Sequence, residues 1–210
     1  MLEELGRTER KRAAITEAAT ELFLRDGYRG TSMDDIASAA GVSKQTVYKQ
    51  FTEKEQLFCH VVEALVNAAS DPVYDAVRGL HVTGDLETEL RAVARRQLEL
   101  VLEPRLMQLR RLVIAEVTRF PQLGKVFFDQ GPRRTMDALA DAFRDLAARG
   151  ELDIDDPMVA AAHFNWLVMG APLNQAMLLG LEAPPRPKEL DRWATTGVKT
   201  FLAAFRAPMP

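Results

Sequence analysis

Five polar side chains that can hydrogen-bond to nucleic acid lie within six consecutive residues of this chain. They are Lys44, Gln45, Thr46, Tyr48 and Lys49. Glutamine pairs with adenine, threonine contacts base edges or the thymine methyl group, and lysine or tyrosine reaches phosphate oxygens. If this stretch forms one short helix, the pattern predicts contacts with both the base edges and the backbone of DNA.

The other reactive residue types do not form patterns typical of catalysis or metal binding. The acidic residues Asp153, Asp155 and Asp156 precede a proline, where helix capping explains them. The sequence contains no nucleophile elbow, no glycine-rich phosphate loop and no zinc signature. No paired spacing relates the three histidines, which are His60, His81 and His163. We therefore expect no enzyme, no catalytic residue, no metal and no cofactor.

Composition and charge set further limits. The chain of 210 residues is 47% hydrophobic, enough to bury a core without disulfides. Its single cysteine, Cys59, fits a reducing compartment, and we expect a small buried hydrophobe there, with redox sensing as the alternative. The most apolar stretch, residues 163–181, contains asparagine, glutamine and a central proline. We therefore expect a cytoplasmic protein without a membrane partner.

The polar residues at 44–49 need two helices and a tight turn to position them. Residues 31–51 have the features of a helix-turn-helix, with predicted helices over 33–40 and 44–51. Gly41 supplies the turn residue that tolerates positive φ, and Ser43 caps the second helix. Ala37 allows the two helices to cross closely. Apolar residues that would lock the helices together are Ile36, Val42 and Val47.

The pattern continues as helices on both sides of this motif. A first helix is predicted over 8–26, ending at Gly27. A fourth is predicted from a capping box of Thr52 and Glu55 to a point before Pro72. Strand signals are nearly absent, and further helices are predicted near 73–80, 85–102, 105–119, 122–129, 132–149, 156–179 and 188–206. Gly131-Pro132 is expected to separate two of them, and Pro172 to kink another.

Residues 15–58 resemble the TetR family of bacterial regulators. The family motifs appear here in order as GYRGTS at 27–32, IASAAGVSKQTVYKQF at 36–51 and KEQL at 54–57. The resemblance implies an all-α fold, with a three-helix helix-turn-helix DNA-binding head and a larger helical ligand-binding and dimerisation domain. We place the head at residues 1–55 and the regulatory domain at 56–210. Residues 111–132 resemble, more loosely, the AefR-like C-terminal domain of this family.

The resemblance also implies roles for individual residues of the head. Gln45 and Thr46 would read bases, whereas Tyr48 and Lys54 would contact phosphate.

Two further pairs have less defined roles. Thr31 or Ser32 would contact phosphate at the start of the second helix. Lys44 and Lys49 lie on the reading helix, at positions where the family varies.

The remainder of the chain offers candidates for a ligand pocket and a dimer interface. Each pocket candidate is also a plausible core residue. The pocket candidates are Met107, Arg110, Phe127, Met136, Phe143, Asn165, Trp166 and Met169. By resemblance the last two long helices form the dimer interface, with Leu173, Met177, Trp193, Phe201 and Phe205. An apolar effector would suit a pocket of this composition.

The expected function is that of a dimeric repressor, which binds palindromic double-stranded operator DNA and is released by a small molecule. Two alternatives stay open. Residues 1–55 carry nine lysines and arginines against ten acidic residues, and this near-neutral balance allows a helical carrier module with a vestigial helix-turn-helix. Activation is equally compatible with the sequence, because the position of the operator decides between the two outcomes.

Overall fold

The protein is built from α-helices in this computed structural model, which describes residues 6–81, 85–180 and 184–208. No β-strand occurs within those ranges. The helices are α1 (Arg7–Gly30), α2 (Met33–Ala39), α3 (Lys44–Gln50), α4 (Lys54–Arg78), α5 (Leu86–Val101), α6 (Pro104–Glu116), α7 (Pro121–Phe128), α8 (Arg134–Ala148), α9 (Pro157–Leu179) and α10 (Pro187–Phe205). A 3₁₀ turn at Gly79–His81 follows α4, and a π-helical turn at Asp129–Arg133 joins α7 to α8.

The chain divides into two compact units. The first contains the N-terminal residues through Leu65 together with Gln108–Phe127. The second contains Val66–Met107 and the residues from Phe128 onward. Both α4 and α6 contribute residues to both units, so the units are not two consecutive halves of the sequence.

The first unit closes around aromatic side chains. Phe23 and Phe58 are fully buried, with ring centroids 4.7 Å apart. Tyr28 packs on Phe58 at 5.2 Å and meets Phe120 edge-on at 4.8 Å. Rings at these separations stabilise one another beyond their burial alone, and here they join α1, α4 and the segment before α7.

In the second unit α9 and α10 pack against each other, against α5 and against α8. Phe143, Phe164 and Phe201 form a fully buried triad with centroid separations of 5.0–5.6 Å. Gly197 permits the close approach of α9 and α10. A Cβ atom at this glycine would lie 3.0 Å from Val168 Cγ2 and 3.1 Å from the Leu167 carbonyl oxygen.

The predicted end of the fourth helix before Pro72 is wrong. Helix α4 continues through Pro72 to Arg78. A proline inside a helix removes one backbone hydrogen bond, and tertiary packing can offset that loss. Here Val73 and Val77, which follow the proline, belong to the buried core of the second unit. The predicted capping box is also absent, because the Thr52 N–H donates to Gln56 Oε1 rather than to Glu55.

The predicted break at Gly131-Pro132 takes an unexpected form. The chain remains helical there, as the π-helical turn Asp129–Arg133. Proline lacks the N–H of a regular helix, and at this position the chain forms a single π turn, an element that is rare and occurs mostly as one turn within or between α-helices. Helix α9 likewise runs through Pro172 to Leu179.

None of the helices described here combines the length and hydrophobicity required to cross a bilayer.

Candidate functional site

The turn between α2 and α3 has the geometry that its sequence predicts. Gly41 adopts φ +64°, a backbone angle that residues with a side chain rarely adopt. The Val42 N–H donates to the Ala37 carbonyl at 3.1 Å, and the Ser43 hydroxyl accepts from the Thr46 N–H at 3.2 Å. Val47 is completely buried. These contacts fix the rotation of α3 and therefore decide which of its side chains face outward.

The outward face of α3 consists of polar residues from the 44–49 stretch that the sequence predicts to contact DNA. Lys44, Gln45, Tyr48 and Lys49 are all exposed, and the Tyr48 ring is 45% exposed. Residues at i, i+1, i+4 and i+5 share one side of a helix. Two amines, an amide and a phenol therefore project together from a helix whose opposite side is held in the core.

Two of the predicted contact residues already have partners inside the unit. The Lys44 ammonium lies 2.8 Å from the Asp34 carboxylate on α2, and this hydrogen-bonded ion pair raises the pKa of Lys44. The Thr46 hydroxyl lies 2.9 Å from that of Ser43. A DNA contact by either side chain must share or replace these bonds.

Thr31 and Ser32 occupy different environments. Thr31 is buried, and its hydroxyl donates to the Gly27 carbonyl at 2.9 Å. Ser32 is exposed and caps α2, forming reciprocal hydrogen bonds with Asp35. Of this pair, only Ser32 has a side chain at the surface in this conformation.

Lys54 is partly buried and joins two segments of the first unit. Its ammonium donates to the carbonyl oxygens of Tyr28 and Thr31, at 2.8 Å each, and lies 4.3 Å from the Tyr28 ring centroid. Burial lowers the pKa of Lys54, and the charge of Arg119 adds to this effect. An ammonium group has three N–H donors, so one is left for a further acceptor.

The eight pocket candidates do not all belong to one unit. Arg110 and Phe127 fall in the first, and the other six fall in the second. Within the second unit, Met107 and Phe143 are fully buried, and Met136 is half-buried. Trp166 is 59% exposed, so it does not line an enclosed pocket of this subunit.

Asn165 has a polar partner that the sequence analysis missed. It is buried, and its Oδ1 accepts from Gln97 Nε2 at 2.8 Å, while the Gln97 Oε1 has no partner among the described residues. The sequence contains one indication of this pair, because Gln97 lies on the buried stripe of α5, beside Leu98 and one turn after Val93. A buried amide oxygen without a partner is costly and is usually explained by strain, bound water or function. Met169 is buried one turn later on α9.

Sequence reasoning also missed a half-open cleft of about 500 Å³ in the second unit. Tyr74 is one of its lining residues, and the guanidinium groups of Arg134 and Arg78 lie 4.5 and 5.6 Å from its ring centroid. The lining of the cleft mixes charged and apolar side chains. It also includes Val77, Asp129, Asp137, Ala138, Asp141 and Ala142.

The interface candidates are distributed between the core and the surface. Phe201 is fully buried within the subunit and Leu173 is 7% exposed, so their side chains are largely unavailable to a partner. Met177, Trp193 and Phe205 are half-buried against the core. Helix α9 also exposes apolar side chains at the surface of the subunit. They are Met158, Val159, Trp166, Leu167, Leu178 and Leu179, and we call them the α9 face.

Two family models match the chain. Residues 15–61 match the model for bacterial regulatory proteins of the tetR family. Residues 88–207, more than half of the chain, match the C-terminal domain of AefR-like transcriptional repressors.

Solved structures and curated proteins give the same assignment. A TetR-family transcriptional regulator of Mesorhizobium loti is 38% identical, with a TM-score of 0.89 over 97% of this chain and 100% of that one. The flavonoid-responsive regulator FrrA is 32% identical, with a TM-score of 0.72 over 94% and 98%. The repressor TetR of Mycobacteroides abscessus is 34% identical over 41% of this chain and 42% of its own length. The activator FasR of Mycolicibacterium smegmatis is 39% identical over 42% and 38%. These two curated matches thus span about two fifths of each relative.

Proposed function

The chain belongs to the TetR family of transcriptional regulators, and on that premise we propose that it is a repressor. In this proposal a homodimer binds palindromic operator DNA and leaves it when a small apolar molecule binds. The observation that carries the proposal is the outward face of α3. It presents hydrogen-bonding side chains from a helix whose other side is locked into the core.

We assign base reading to Gln45 and Thr46 and phosphate contacts to Tyr48, Lys44 and Lys49. Four of these five side chains are exposed on one side of α3, the surface that a recognition helix turns toward the major groove. The bond between the hydroxyls of Thr46 and Ser43 holds the threonine in one orientation.

We assign supporting roles to residues beside the recognition helix. Lys54 ties the carbonyls of Tyr28 and Thr31 and has one N–H left for a phosphate. Ser32 presents the start of α2 at the surface.

The α9 face supports dimerisation. Trp166 is 59% exposed, and Leu178 and Leu179 are 76% and 77% exposed. A helix that is apolar around its whole circumference is normally covered on all sides. We propose that the α9 face packs on its copy in a partner subunit, with Trp193 and Phe205 of α10 at its border. A two-fold dimer would place two recognition helices on successive major grooves.

Release by a small molecule is supported by two observations. FrrA, which resembles this chain over nearly its whole length, is a flavonoid-responsive regulator. In addition, the buried amide pair Gln97–Asn165 leaves one acceptor, the Gln97 Oε1, without a partner among the described residues. An effector shifts the equilibrium only if it binds the DNA-released state more tightly than the DNA-bound state.

The test is selection of bound sequences from a random DNA pool by the full-length protein, followed by affinity measurements across salt concentrations. We expect one enriched palindrome, whose affinity falls steeply as salt rises. The Thr46→Ala/Tyr48→Ala variant should lose the preference for that palindrome. Lys49→Ala should weaken binding and reduce the salt slope by about one, because one phosphate contact is lost.

Arg144→Ala is the matched control, because Arg144 is an exposed cation on α8 that has no role in the proposal. It should bind the palindrome like the wild type. If folded wild-type protein enriches no sequence, the DNA-reading proposal is wrong and a helical carrier module becomes the better explanation. A reporter carrying the selected palindrome then distinguishes repression from activation.

A further inference from the structure

Arg110 on α6 is a half-buried cation that has no counter-ion among the described residues. Its Nε atom is inaccessible to solvent and has no hydrogen-bond partner. Within residues 6–81, 85–180 and 184–208, no carboxylate pairs with its guanidinium group. Buried charges in proteins are ordinarily paired and hydrogen-bonded, because removing an ion from water costs several kcal/mol. An arginine in this state therefore needs an explanation.

Simple snorkelling does not provide one. A snorkelling arginine buries its aliphatic stem and keeps its charged end hydrated. At Arg110 burial reaches the guanidinium group, because its Nε atom is inaccessible to solvent, and burial lowers the pKa of this group. The side chain thus holds a partly desolvated positive charge.

The surroundings of Arg110 define how an anion could approach. Its guanidinium carbon lies 4.9 Å from the ring centroid of Phe127, with the group over the ring. This contact uses the face of the ring, and none of the N–H donors of the guanidinium group has a hydrogen-bond partner among the described residues. The edge of the guanidinium plane, which carries these donors, matches the two oxygens of a carboxylate or a single phenolate oxygen.

We propose that Arg110 binds the anionic oxygen group of an apolar organic effector, either a carboxylate or a phenolate, while Phe127 holds the guanidinium plane in place. This inference rests on the proposed ligand-released function and specifies its ligand as an organic anion. It explains why the chain keeps an unpaired charge, since the counter-ion is supplied by the ligand. The ion pair forms in a poorly hydrated environment, where its attraction is strong.

The experiment measures thermal stability of the full-length protein with matched pairs of probes. trans-Cinnamate and decanoate are compared with cinnamamide and decanamide, and 4-nitrophenolate is compared with 4-nitroanisole. The variants are Arg110→Met, which removes the charge, and Arg110→Lys, which keeps the charge and removes the planar fork. Arg119→Met is the matched control, because Arg119 also stacks on a phenylalanine at 4.9 Å but is exposed.

For the wild type we expect at least one anionic probe to raise the Tm more than its neutral counterpart does. Arg110→Met should lose that difference, Arg110→Lys should weaken binding at least tenfold, and Arg119→Met should retain the wild-type response. Without any probe, Arg110→Met should be at least as stable as the wild type, because a partly buried charge without a counter-ion has been removed. The carboxylate and phenolate pairs distinguish the two kinds of anion.

The proposal is overturned if no anion stabilises the wild type beyond its neutral counterpart, or if Arg110→Met keeps the difference. It is also overturned if Arg110→Met is unstable without probe, since the arginine would then be structural. Operator selection with the wild type is independent of these results. If selection succeeds and the anions fail, only the Arg110 assignment falls. If the anionic probes bind but no DNA sequence is selected, the ligand site is supported and the repressor proposal is wrong.

Discussion

Truncation of Trp166 tests whether the α9 face is the dimer interface. A fully buried tryptophan hides up to about 250 Å². Since Trp166 is 59% exposed in the subunit, about 150 Å² of that area is left for a partner to cover. At about 25 cal/mol per Å², this corresponds to about 3–4 kcal/mol for each side chain. Only part of such energy is realised on association. A two-fold dimer contains two such side chains, so if about half of the energy is realised we expect Trp166→Ala to weaken the dimer by about 3 kcal/mol, which is about 100-fold in Kd.

Sedimentation velocity over a dilution series measures this change directly. The control is Ile114→Ala on α6, because Ile114 is 56% exposed and lies outside the α9 face. It should leave the dimer Kd unchanged. An unchanged Kd for Trp166→Ala would refute the assignment of the α9 face, and an equal loss for both variants would show that exposure alone does not identify the interface.

Three further predictions concern single positions. Gly197→Ala should lower the free energy of unfolding by about 1–2 kcal/mol in urea titrations, because its Cβ would lie 3.1 Å from the backbone of α9. The control Gly170→Ala should be neutral or stabilising, because the nearest atom to its Cβ outside the local helix backbone is 3.9 Å away. Lys54→Met should lower the free energy of unfolding by about 2–3 kcal/mol in the same assay, because two charge-assisted hydrogen bonds are lost. If Lys54→Met were as stable as Lys49→Met, a variant at an exposed site, this expectation would be wrong. Burial, aided by the charge of Arg12, lowers the pKa of His60 below its ordinary 6.5, so the unfolded chain takes up the proton first and stability should fall as pH drops below 6.5. His60→Gln should remove that part of the pH dependence, and an unchanged slope would show that another group causes it.

The sequence by itself determined the local structure of the DNA-binding motif. The predicted helices 33–40 and 44–51 correspond to Met33–Ala39 and Lys44–Gln50. These predictions succeed because a capping serine and a glycine with positive φ act within a few residues, whatever the rest of the chain does. The family was also identified correctly from residues 15–58, and with it the all-α fold.

Where the sequence prediction failed, distant residues determined the outcome. Proline is a local signal for a helix end, yet α4 continues beyond Pro72, and the residues that follow it belong to the buried core of the second unit. Local propensity is a small energy that such burial can exceed.

The division between core and surface on α9 also required the tertiary structure. This helix is apolar on every side, so periodicity cannot show which side chains face outward. Only the folded chain shows that Trp166 is exposed on the subunit and that Phe201 is buried within it. The lack of a counter-ion for Arg110 among the described residues also required the tertiary structure. Arginine is a common residue, and only the folded chain shows that no carboxylate pairs with this one among the described residues, because pairing depends on side chains that are far apart in sequence.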